Sequence, residues 1–130
     1  MTLIPWSRGC ALVWDFTCAD TLANSNISAT ATTAGAAAEG ALRKKHEKYL
    51  YLAEDFTVVA VAMETLGPWA SESLAFIKDL GRRIAKISGE PRSTAFLLQR
   101  ISIAVQKANC SCVLGTLPTR RELEGMFYLA

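Results

Sequence analysis

The alternation of apolar and polar positions divides the chain into a short series of elements. Thr2-Leu3-Ile4-Pro5 has the pattern of an extended, apolar half-strand, and Ser7-Arg8-Gly9 has the composition of a turn. Cys10 to Thr17 (Cys-Ala-Leu-Val-Trp-Asp-Phe-Thr) is rich in apolar, β-branched and aromatic residues and predicts a strand that makes a hairpin with the first. Asp20 to Ala31 is polar and predicts a loop. From about Thr33 to Glu54 strong helix formers dominate, with Gly35 and Gly40 weakening the first turns. Leu42, Lys45/His46, Tyr49 and Leu52/Ala53 recur at helical spacing and define a mixed apolar face.

Thr57 to Met63 is an unbroken, mostly β-branched run and predicts a strand buried on both faces, with Glu64 at its end. After Gly67-Pro68, Ser71 is a suitable N-cap for a helix whose apolar face is Leu74, Ile77, Ile84 and Ile87. Lys78, Arg82, Arg83 and Lys86 lie on its other face, and Gly89 ends it. Pro91 suits the first turn of the next helix, which buries Phe96, Leu97, Ile101, Ala104, Val105 and Ala108 and stops at Gly115 and Pro118. One further turn of helix is expected from Arg120 to Gly125.

The expected fold class is α/β: a small mixed three-stranded sheet with three main helices, in the order strand, strand, helix, strand, helix, helix. A right-handed crossover through the first helix would join the second and third strands. Residues 1–117 form the expected domain and 118–130 a C-terminal tail. The chain has 130 residues, enough for one core and little more.

Charge changes this picture little. The net charge is +2, too mild to demand a nucleic-acid partner and no bar to one. No apolar run approaches the roughly 18 residues of a membrane span, and the first nine residues carry no secretory pattern, so an intracellular protein without a membrane partner is expected. The cysteines, Cys10, Cys18, Cys110 and Cys112, form no Cys-x-x-Cys pair, and His46 is the single histidine. That spacing does not make a zinc site, and reduced thiols serving as small core residues are expected. Asn26 and Asn109 begin glycosylation sequons that have no meaning without a secretory route.

Candidate chemistry rests on two acids. Asp15 interrupts an apolar strand, where a charge needs a partner or a metal. Glu64 stands at a strand end, where sites gather on parallel sheets, although a solvated side chain or a local cap is the ordinary alternative. The basic run Arg43-Lys44-Lys45-His46-Glu47-Lys48-Tyr49 places Lys44 and Lys48 on one helix face. Such a run is ordinarily a solvated face; the sharper expectation is that one lysine points over the sheet toward Asp15. Carboxylates holding Mg²⁺ with a lysine nearby would serve phosphodiester hydrolysis, which needs at least two convergent acidic ligands. No phosphate-binding glycine loop, nucleophile elbow or His-Glu-x-x-His motif is present.

The segment Ala11-Leu12-Val13-Trp14-Asp15-Phe16-Thr17-Cys18-Ala19-Asp20-Thr21-Leu22-Ala23 resembles a stretch near the C-terminus of animal non-LTR retrotransposon reverse-transcriptase polyproteins. So do Lys48-Tyr49, Val59 to Gly67, Gly81-Arg82-Arg83, Phe96 to Gln106, Asn109 and Val113 to Thr116. The resemblance extends to about Pro118, and its ordered set of motifs is more specific than any one of them. It implies a restriction-endonuclease-like domain attached to a reverse transcriptase, with Mg²⁺ as cofactor and DNA as partner, in the nucleus or cytoplasm. Asp15 matches the family's second acid, and Lys48-Tyr49 its Lys-Tyr pair, so Asp15, Lys48 and Tyr49 are the expected catalytic residues. Asp15 and Glu64 are the candidate metal ligands, Glu64 on its position rather than on the motif. The family's Pro-Asp would precede Met1. The chain is therefore expected to be an N-terminally truncated and inactive remnant. DNA contact is expected from Arg8, Arg43, Lys44 and Lys45, and from Lys78, Arg82, Arg83 and Lys86. The reading from a different class is a non-enzymatic α/β interaction module that uses the helix faces of 74–87 and 96–108.

Overall fold

Two strands form, and they run parallel. In the computed structural model, which describes residues 1–116, β1 (Leu12–Ala19) pairs with β2 (Thr57–Glu64) in a register that sets Leu12 beside Thr57, Asp15 beside Ala60 and Ala19 beside Glu64. The chain between them carries a single helical turn, α1 (Ile27–Thr30), and the longer α2 (Ala36–Tyr49), which closes in a 3₁₀ turn at Leu50–Leu52. Two long helices follow, α3 (Ser71–Ser88) and α4 (Ser93–Leu114). The protein is therefore α/β, with four helices and a two-stranded parallel sheet among its described residues. The expected helical turn from Arg120 to Gly125 and the tail lie outside those residues.

The expected third strand, and with it the mixed sheet, is not seen. The first residues do fold back: Cys10 donates its N–H to Ser7 O at 2.9 Å, and Arg8 and Gly9 between them have φ of +49° and +80°. These angles make a tight hairpin turn, which glycine adopts freely and arginine does not. Thr2 then pairs with Leu12, donating its N–H to Leu12 O at 2.8 Å and accepting the Leu12 N–H on its hydroxyl at 2.9 Å. Between these contacts the chain bows away, leaving Leu3 99% and Ile4 77% exposed. Pro5 has no N–H to give to a ladder, which explains why pairing fails there.

β2 is the buried strand that its sequence predicts over its second half, while Thr57, Val58 and Val59 are half-buried. Ala60, Val61, Ala62, Met63 and Glu64 are all buried. Its outer edge is covered by the segment leading into α3: Glu64 N–H bonds Pro68 O at 2.7 Å, Ala70 N–H bonds Ala62 O at 3.0 Å, and Ala62 N–H bonds the buried Ser73 hydroxyl at 2.8 Å. One sheet face packs on α2 through Ala38, Leu42, Ala60, Ala62 and Ala70. The other, with Leu12, Trp14, Phe16 and Val61, faces Phe76 and Leu80 of α3 and Ile101 of α4 across a groove of about 590 Å³.

The helix faces differ from the expected ones in rotation. α3 buries Ser73, Ile77 and Gly81, whereas Ile84 is 38% and Ile87 88% exposed. Gly81 lets α4 approach closely: a Cβ there would lie 2.6 Å from the Thr94 Cα of α4. In α4 Val105 is buried and Phe96, Ala104 and Ala108 are exposed. Nor are the cysteines core residues. Cys18, Cys110 and Cys112 are exposed, and all four thiols are free.

Candidate functional site

α2 runs antiparallel to the strands, so its N-terminus lies at their C-terminal ends and its last turns lie beside the middle of β1. Gly35 starts the helix at φ +86°, and a Cβ there would sit 3.0 Å from Trp69 O, so both conformation and space call for glycine. From this start Leu42 drops onto the sheet, and Lys45 and Tyr49 follow on the same side, at the spacing of the expected mixed face.

The two side chains close on Asp15. The Lys45 ammonium donates to Asp15 Oδ2 in an ion pair, and the Tyr49 hydroxyl donates to the same oxygen at 2.7 Å. These hydrogen bonds from Lys45 and Tyr49, and then the charges of Lys45 and Lys48, hold the Asp15 carboxyl below its ordinary range. The same hydrogen bond raises the Lys45 ammonium. A small cleft of about 220 Å³, lined by Val13, Trp14, Asp15, Tyr49 and Val58, opens beside the carboxylate.

The lysine that meets Asp15 is therefore Lys45, not the expected Lys48. Lys48 is exposed and lies over the Tyr49 ring, its Nζ 5.0 Å from the centroid. The signal for Lys45 was in the sequence: a residue four positions before Tyr49 shares its face of the helix, whereas Lys48 pairs with Lys44. This also corrects Lys45 as a residue free for DNA. Arg8, Arg43 and Lys44 are exposed and enter no ion pair among the described residues. On α3 both arginines are held by Asp79, at 3.2 Å from Arg82 and 2.9 Å from Arg83, and Arg83 also stacks on Trp6 at 3.9 Å. Lys78 and Lys86 remain exposed there.

Glu64 has a different task. It is fully buried, and its carboxylate accepts the Ala37 N–H at 2.9 Å and the Thr21 hydroxyl at 3.3 Å. Ala37 is in the first turn of α2, so Glu64 caps that helix at its positive end. Glu39, in the same first turn of α2, does the same for α3 by accepting the Ser71 N–H at 2.7 Å, and that bond lowers its pKa. Ser71 is accordingly the first residue of α3 and not its side-chain cap, a role that a glutamate from another helix has taken.

A shared divalent cation does not fit these acids. Asp15 and Glu64 lie on one sheet face, but the register places Asp15 level with Ala60, four residues short of Glu64. At about 3.3 Å per residue that is roughly 13 Å along the strand, too far for a common ion. Among the described residues no group of three or more His, Cys, Asp or Glu side chains converges as metal ligands do. Among the same residues no helix is long and apolar enough to cross a membrane.

Comparison with protein-family models, curated proteins and solved structures finds no match. The site is therefore characterised by its own geometry. A carboxylate in a parallel strand accepts a lysine and a tyrosine from the connecting helix. This arrangement fixes the charges of Asp15 and Lys45, and it offers a single carboxylate, already engaged, to any metal.

Proposed function

We propose that the chain is an endonuclease-like domain of the kind attached to non-LTR retrotransposon reverse transcriptases, without phosphodiesterase turnover in this form. The observation that carries this reading is Asp15. An acid in the middle of an apolar strand is met by Tyr49 of the expected Lys-Tyr pair, with Lys45 where Lys48 was expected, from the helix that connects two parallel strands. Turnover is absent because the chemistry needs two convergent acidic ligands. Asp15 is one, and Glu64 is committed to the start of α2. What remains is contact with the phosphate backbone through Arg8, Arg43 and Lys44, which is salt-sensitive and blind to sequence.

Two assays on the same protein test this. Supercoiled duplex DNA incubated with the chain and Mg²⁺ should remain unnicked, as it should with Asp15→Ala. Binding to a fluorescent duplex should be measurable at low salt, weaken as salt rises, and weaken again in the Arg43→Gln/Lys44→Gln double variant. Nicking by the parent chain that disappears in Asp15→Ala would refute the loss of turnover. Failure to bind duplex DNA at low salt would refute the nucleic-acid reading in favour of a non-enzymatic interaction module. That second reading is favoured by the engagement of Asp15 with Lys45 and Tyr49, which also suits a purely structural clip between β1 and α2.

A further inference from the structure

The two edges of the sheet are treated differently. That of β2 is covered by residues 68–73 from Ala60 to Glu64. On the β1 side, Ala11 O and Ala19 O receive bonds from Thr57 and Thr65, whereas the N–H and C=O of Leu12 both point the other way, to Thr2. Alternation along the strand then directs the N–H and C=O of Trp14, Phe16 and Cys18 outward. Among the described residues nothing pairs with these groups. Trp14 is 55% and Phe16 39% exposed, and both line the apolar groove over α3. The devices that blunt a free edge, an outward lysine, a proline or a bulge, are absent from Leu12–Ala19, and the one charge there, Asp15, is turned to the other face and paired with Lys45.

We propose that β1 pairs antiparallel with β1 of a second copy, in the register centred on Phe16. Outward groups can bond only to outward groups, and this register alone uses all three residues on each copy, giving about six inter-chain hydrogen bonds. It sets Trp14 opposite Cys18, large against small, and Phe16 opposite its own copy. On the reverse face it sets Asp15 opposite Thr17. A register shifted by one pair toward the N-terminus would bring the two Asp15 carboxylates face to face, a like-charge pairing that costs stability. Thr2, bonded to Leu12, ends the pairing on either side. The two-fold axis runs perpendicular to the sheet, so a four-stranded sheet results and the two apolar grooves adjoin on one face. The aromatic area at stake is a fraction of the roughly 150–250 Å² of each whole side chain. The interface is therefore at the small, transient end, below about 1,200 Å² in total, with micromolar affinity.

Sedimentation equilibrium of the full chain from micromolar to near-millimolar concentration should show a reversible monomer–dimer transition. Cys18→Lys, at an exposed position, should weaken it at least tenfold with an unchanged circular dichroism spectrum. Independently, Trp14→Cys under mild oxidation should link its new thiol to Cys18 of the second copy, identified by mass spectrometry of the digest. Cα atoms in a hydrogen-bonded antiparallel pair lie about 5.5 Å apart, which suits a disulfide. A chain that stays monomeric over the whole range refutes the proposal. So does a dimer that is indifferent to Cys18→Lys and gives no such link, or a monomer whose Trp14, Phe16 and Cys18 amides resist hydrogen exchange. None of these outcomes bears on DNA binding.

Discussion

The hydroxyl of Tyr49 donates to the Asp15 carboxylate at 2.7 Å, tying the last turn of α2 to the middle of β1. This bond and the ion pair with Lys45 meet on one oxygen. Tyr49→Phe should lower stability by about 0.5–1.5 kcal/mol, the usual net value of a hydrogen bond. Lys45→Met should cost about 1 kcal/mol, because the pair is partly solvated. Lys48→Ala should fall within about 0.5 kcal/mol of the parent. Urea midpoints for the three variants check this order, and equal losses for Lys45→Met and Lys48→Ala would show that the lysine is misassigned.

Glu64 should be the costlier carboxylate to remove. Its replacement by alanine strands the Ala37 N–H and the buried Thr21 hydroxyl and opens a hole at the end of β2. A loss of about 2–4 kcal/mol is expected from unpaired buried groups and lost packing. Glu64→Gln keeps an acceptor and should cost distinctly less. Chemical denaturation of both variants reads the difference, and a near-neutral Glu64→Ala would be incompatible with the capping role.

One substitution should have opposite signs at two helical glycines. At Gly40 the nearest atom to an added Cβ is the flexible end of Arg43 at 3.8 Å, so Gly40→Ala should stabilise α2 by about 0.5–1 kcal/mol. At Gly81 the Cβ would meet Thr94 Cα and Oγ1 at 2.6 Å and Thr94 Cβ at 2.9 Å. Gly81→Ala gains the same propensity but must push α3 and α4 apart, so a net loss of about 1–3 kcal/mol is expected. Thermal melts of the pair test this, and a rise in Tm for Gly81→Ala would contradict the close crossing.

The Asp15–Lys45 pair also sets a pH dependence. The Asp15 pKa is lowered, first by its bond from Lys45, so its contribution is present above the unfolded value of about 3.9 and is lost as pH falls through the folded one. The Lys45 pKa is raised by the same bond, so its contribution is present below about 10.4 and is lost as pH rises through the folded value. Stability relative to Asp15→Asn should therefore be a plateau between about pH 5 and 9 that narrows at both ends. Glu39 and Asp79 add to the acid limb of the parent, which is why the difference between the proteins is the informative curve. A difference that does not change between pH 7 and pH 3 would remove Asp15 from the linkage.

Much of this was legible along the chain. The β-branched run at 57–63, the helix formers before it, and the two long amphipathic segments after it lie within a few residues of β2, α2, α3 and α4. Asp15 stood out as a charge in an apolar strand, and Tyr49 lay on the face that meets it. The site was less legible in its partners. Lys45 and Lys48 differ by about 60° around a helix of 3.6 residues per turn. Periodicity fixes a face only to about that width, and the packing of Leu42 on the sheet settled the rotation.

The sequence by itself determined the main stretches, β1, β2 and α2 to α4, because backbone propensity and the period of apolar positions act over a few neighbours; it did not determine the first, since Thr2-Leu3-Ile4-Pro5 has a strand's composition and forms none. Only the tertiary structure decided which carboxylate does what. Glu64 and Glu39 each find a helix start 27 and 32 residues away in the chain, and Asp15 finds Lys45 at a separation of 30. No local rule carries that information. A carboxylate binds whichever donor the fold brings near, and the parallel crossover brought two of the three to the ends of helices.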